Sequence, residues 1–125
     1  MKTRNDIEAY LVRSGLAHQE IADDTWLVRA EQGHEPIAVR LEGPVVVVRS
    51  DVGAVPTRDR EAAFERMLRA NAGALVHCSY GIEADKIILS AALPIENLDY
   101  NEFVSTLDDM TLAVARDRDA LGAAG

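Results

Sequence analysis

The residues of this chain that could do chemistry are few, and their spacing works against most reactions. Cys78 is the only cysteine and His77 stands beside it. On a strand adjacent side chains leave by opposite faces, so the pair cannot form a thiolate–imidazole dyad. The strand-to-helix nucleophile elbow G-x-S-x-G is absent. The stretch from Asp51 to Ala54 has one glycine and lacks the spacing and the Lys-Ser/Thr that let a loop cradle phosphates. His18 and Glu20 would share a strand face, and Asp23 or Asp24 could join them from the next turn, giving the best available metal set. Paired histidines at helical or zinc-finger spacing are missing, which favours a solvated strand face with an acidic turn. Asp108 and Asp109, as neighbours on a helix, splay about 100° apart and suit a solvated face better than paired acid/base work. His34 falls in a turn. These residues imply no catalytic site, no metal and no cofactor.

Two other residues ask for a partner. Trp26, the only tryptophan, lies on a strand near a turn, where it is either a core anchor or an exposed hot spot for another protein. Asn71 falls on the apolar stripe of a helix. A buried amide there needs hydrogen-bond partners, unless it caps the C-terminus of its own helix.

The elements that would carry these residues follow from hydrophobic period. A first helix is expected from Asn5 as cap, with Glu8 at the capping-box position, to Ser14, ended by Gly15. From Leu16 to Arg49 the period falls to two, broken at Ala22 to Asp24, Gln32 to Pro36 and Gly43 to Pro44. That pattern predicts a meander of four antiparallel strands. The fourth, from Val45 to Val48, shows no polar alternation, so both its faces are expected to be covered by helices or by a second subunit. A second helix opens near Pro56 and Thr57, carries Phe64, Met67, Leu68 and Asn71 on one stripe, and closes at Gly73. Strands over Leu75–Ile82 and Lys86–Leu93 form a hairpin. The last helix has Asp99 as cap, Glu102 as the box partner, a Leu98–Phe103 staple and a stripe of Phe103, Leu107, Met110 and Val114. The order α-β-β-β-β-α-β-β-α lacks the strand-helix-strand repetition of a parallel sheet, and the fold class is α+β with an antiparallel sheet.

With 125 residues, 48% of them apolar, the chain can bury one core and reads as one domain, its last residues, 122–125, frayed. The formal charge of −8 opposes nucleic acid and anionic membrane surfaces, and the Lys and Arg side chains form no basic stripe. A lone cysteine suits a reducing, cytoplasmic compartment. No h-region follows Met1, and no run approaches the ~18 apolar residues of a membrane span.

The helix Phe64-Glu-Arg-Met-Leu-Arg-Ala-Asn71, the strand after it, and the segment from Ile87 to Leu98, where Leu93-Pro94 ends a strand before a short polar step into the last helix, resemble the type III secretion chaperone-like superfamily. The similarity is to its Tir-chaperone and YbjN-like branches and spans roughly Ile7 to Leu121. The fourth strand before the second helix is the YbjN-like arrangement. The resemblance implies a non-enzymatic homodimer that binds a client polypeptide, or else a regulatory or small-molecule-sensing domain of YbjN-like type. It also implies a dimer interface on the second helix and the following strand, with Phe64, Met67, Asn71, His77 and Ser79. The all-valine strand, with Val46 and Val48, is the rival interface, and Trp26 is the remaining candidate for partner contact.

Overall fold

Thr3, not Asn5, opens the first helix. In the computed structural model, which describes residues 2–29, 35–119 and 121, helix α1 (Arg4–Ser14) has Thr3 as its cap, and the Asp6 side chain returns to the Thr3 backbone. Gly15 ends α1 in the left-handed region at φ 73°, where a residue without Cβ carries no steric penalty. The turn containing Gln32 and His34 and the tail 122–125 lie outside the described residues.

The strands are β1 (Ala17–Ala22), β2 (Thr25–Arg29), β3 (Ile37–Glu42), β4 (Val45–Ala54), β5 (Ser79–Glu83) and β6 (Lys86–Pro94), and every neighbouring pair is antiparallel. Their order across the sheet is β1-β2-β3-β4-β6-β5. The first four make the expected meander, and the β5–β6 hairpin extends it through β6. The two edges of the sheet are therefore β1 and β5.

One face of this sheet holds the core. Trp26, Val39 and Val48 are cross-strand partners, as are Val28, Ile37, Ser50, Leu89 and Tyr80 in the next row, and all are buried. Against them α1 places Ile7 and Leu11, and α3 (Tyr100–Asp117) places Phe103, Leu107 and Met110, all fully buried. Asp99 caps α3 through the Glu102 N–H, and Leu98 and Phe103, the two residues of the expected staple, are both buried. The cap is single, because no return bond from the Glu102 side chain accompanies it.

Within one chain, helices cover only one face of β4, so of the two expected forms of coverage the helix on each side is not found. Strand β4 runs ten residues and alternates strictly, with Val46, Val48, Ser50 and Val52 buried and Val45, Val47, Arg49 and Asp51 half-buried. The second face carries the row Leu27, Ala38, Arg49, Ser90 and Ser79, joined by register, in which Arg49 pairs with Glu83. None of them is buried. Four consecutive valines signal burial by pattern, but only alternate ones reach the helices.

The second helix also starts later than expected. Asp59 takes a left-handed conformation at φ 55°, and α2 spans Arg60–Arg69. Residues 70–74 then wind as one π-helical turn, closed by the Leu75 N–H on the Ala70 carbonyl at 2.9 Å. Leu75 to Cys78 is not strand, and β5 begins only at Ser79.

Candidate partner-binding site

The two sheet edges differ in every respect that matters to a partner. All six residues of β1 are exposed. Its backbone pairs with β2 on one side only, with a register shift between Glu20 and Ala22. Ile21 is 51% exposed. Among the described residues no side chain is hydrogen-bonded to the β1 backbone. Free N–H and C=O groups in a row are a template for another strand. Beside this edge the Arg4 guanidinium binds Glu8, Glu20 and Asp24 and lies 5.4 Å over the Trp26 ring. Those bonds occupy Glu20 and Asp24, while His18 Nδ1 approaches the Leu16 carbonyl at 2.8 Å. The candidate ligand set therefore has its own partners.

The β5 edge is closed by side chains. The Asn71 carboxamide grips one residue of the strand from outside: its Oδ1 accepts from the Tyr80 N–H at 2.7 Å, and its Nδ2 donates to the Tyr80 carbonyl at 3.2 Å. Asn71 is thus not the cap of its own helix. Below it the Tyr80 hydroxyl donates to Asp117 Oδ2 at 2.6 Å. Asp117 is buried, at 3% exposure, and takes further bonds from Arg116 and Arg66. Burial alone would raise the Asp117 pKa. The bonds from Arg116, Tyr80 and Arg66 outweigh it and hold the carboxyl below its ordinary range. The same burial, reinforced by Asp117, pushes the Tyr80 phenol strongly up.

Asp109 corrects a further expectation. It faces the loop before β5 and accepts from the backbone N–H groups of Val76 at 3.1 Å and His77 at 2.9 Å. Cys78 Sγ approaches the same oxygen at 3.5 Å. Burial first, then the Asp109 charge, pushes the thiol up to about 12. Such a thiol stays protonated and is a poor nucleophile. His77 and Cys78 belong to this loop and not to a strand, and their side chains do not pair.

The other predicted partner residues divide by burial. Trp26, Val46, Val48 and Met67 are core residues, at 5% exposure or less. Phe64 and His77 are half-buried, and Ser79 is exposed. Sequence reasoning missed Leu68, Val76 and Ile82, which are large, apolar and 69%, 78% and 48% exposed. They lie on α2, the following loop and β5. Leu68 was assigned to a buried stripe, but Ala63 fills the place beside Met67. Between α2 and the end of α3 lies an open cleft of about 670 Å³, lined by Glu61, Glu65, Arg66, Arg69, Arg116 and Asp117 among others. Its arginines are already paired, Arg66 and Arg116 with Asp117 and Arg69 with Glu65. Among the described residues no group of three or more His, Cys, Asp or Glu side chains could hold a metal, and no helix is long and apolar enough to cross a membrane.

The CesT_Tir_1 family model matches residues 1–123. No curated protein matches the sequence. Among solved structures, a chain of the heterodimeric ExoU–SpcU complex from the type III secretion system of Pseudomonas aeruginosa is similar with a TM-score of 0.73 at 16% identity, over 88% of this chain and 93% of that one. YbjN of E. coli, a candidate transcription regulator, gives 0.72 at 9%, over 95% and 93%. The complex of the Yersinia pestis secretion chaperone SycH with a stable fragment of YscM2 gives 0.69 at 13%, over 90% and 98%. At these identities the likeness is one of fold.

Proposed function

Because the chain belongs to the CesT_Tir_1 family of type III secretion chaperone-like proteins, we propose that it is a non-enzymatic homodimeric chaperone or adaptor of the cytoplasm. It holds an extended segment of a client polypeptide along the β1 edge. The observation that carries this reading is the β1 strand itself, six residues all exposed, with no side chain among the described residues bonded to its backbone. A client strand gains main-chain hydrogen bonds there, and its alternate side chains meet Ile21 on one side and the Arg4 cluster on the other.

The dimer uses the apolar surface of the opposite end. Leu68, Val76 and Ile82, with half-buried Phe64 and exposed Ser79, are large or central enough to support an isologous contact of more than about 1,000 Å². The rival face of β4 would present Val47, since Val46 and Val48 point into the core. Light scattering in dilute solution is expected to give two chains, and Ser79→Arg to give a folded monomer. A single-chain mass at micromolar concentration overturns the dimer, and a Val47→Arg variant that alone dissociates moves it to the other face. For the client, a complex isolated from the source cells and trimmed with protease should retain one contiguous segment of another protein. A melting temperature raised by a metabolite, with no polypeptide retained, would favour the sensing reading through the α2–α3 cleft.

A further inference from the structure

We propose that Asn71 is an edge guard: its carboxamide fills the outward hydrogen-bonding groups of Tyr80, closes β5 against an added strand, and so confines strand addition on this sheet to β1. The statement about β1 rests on the client reading above, and the closure of β5 does not.

In an antiparallel ladder, alternate residues turn their N–H and C=O groups toward the neighbouring strand. Tyr80 lies opposite Leu89 of β6, yet its N–H and C=O both go to Asn71 on the other side. The Tyr80–Leu89 pair is therefore one that exchanges no ladder bonds, and by alternation Ile82 also turns its groups outward. Within the five residues of β5 an incoming strand could use only those two positions. With Tyr80 occupied, one is left, too little for a ladder.

The local chain is shaped to place that amide. Helix α2 would continue past Arg69 with α-helical spacing, but residues 70–74 wind as a π turn. That turn carries Asn71 beside the strand, and π turns are frequent at functional sites. Tyr80 is anchored from beneath by its hydroxyl on Asp117, so the guarded backbone cannot drift from the guard. Among the described residues nothing comparable stands beside β1. A bare edge is a template for another chain, and an exposed Ile82 would add an apolar side chain to that template on β5.

The test is Asn71→Ala, read by light scattering across micromolar concentrations beside the wild type. If the wild type is a single chain, the variant is expected to double that mass through β5 paired with β5 of a second copy. If it is already the dimer proposed above, whose contact includes Ile82, the Tyr80 N–H is instead expected to exchange at least about tenfold faster in the variant than in the wild type. In the single-chain case, adding Ile82→Pro should restore the wild-type mass, since proline removes an outward N–H that β6 does not use. A folded single-chain Asn71→Ala protein of unchanged mass, association that survives Ile82→Pro, or, in the dimer, an unchanged Tyr80 exchange rate overturns the proposal. If Asn71→Ala does not fold, amide exchange in the wild type decides. The Tyr80 N–H should exchange at least about tenfold more slowly than that of Ile82, and equal rates overturn the guard. Neither readout involves a client, so failure here leaves the client reading standing, and the reverse also holds.

Discussion

The edges β1 and β5 terminate the same sheet and are nearly equal in length, yet one is bare and the other is fastened. The β5 edge has Asn71 on its backbone, Asp117 under Tyr80 and Asp109 holding the loop that leads into it. Among the described residues strand β1 has only the Arg4 cluster, which bonds side chains and leaves the main chain open. The difference is not in the strands' own sequences, since both mix apolar and polar residues. It lies in what α2 and α3 bring alongside. A sheet edge becomes available to a partner by the absence of such neighbours, which local sequence does not show.

If the β5 side is held by buried polar groups, removing them should cost far more than equivalent changes at β1. Asp117→Ala takes away the acceptor of a buried tyrosine hydroxyl and the shared partner of Arg66 and Arg116. It should lower unfolding free energy by about 2 to 3 kcal/mol. Urea melts check this, and a loss within error would mean that the network does not hold β5.

Tyr80→Phe sharpens the point with a smaller effect, about 1 kcal/mol near neutral pH, because Asp117 keeps both arginines. Its signature is in alkali. Tyr80 and Cys78 both have folded pKa values above their unfolded ones, Cys78 moving from 9.0 to about 12. Their contribution is complete below the unfolded values and is lost as pH rises through the folded ones. Wild-type stability should therefore fall as pH rises from 9.0 toward about 12, and the fall should be shallower in Tyr80→Phe. Parallel curves would mean that the phenol is not buried against Asp117.

How much of this was legible beforehand depended on whether the signal was local. The element order, the meander, and the stripe Phe103, Leu107, Met110 and Val114 follow from hydrophobic period, and the structure has them. The Asp99 cap follows from a residue type beside its own helix. The misses came from tertiary partners. Residues 75–78 have strand-like composition, but Asp109 takes the N–H groups of Val76 and His77 that a ladder would need. Asn71 reads as a cap because its real acceptor and donor lie nine positions along, on Tyr80. The valines of β4 read as covered on both faces, by helices or by a second subunit, because apolar pattern cannot tell these apart, and within one chain only alternate valines are buried. The openness of β1 is set in the same way, by helices that lie elsewhere.

A photo-reactive amino acid placed at Ile21 on β1, and separately at Ile82 on β5, compares the two edges inside the source cells. The account predicts a covalent adduct between position 21 and one contiguous segment of another polypeptide. At position 82 it predicts no such adduct, only cross-links to a second copy of this chain. An adduct to a foreign polypeptide at Ile82, with none at Ile21, would contradict it.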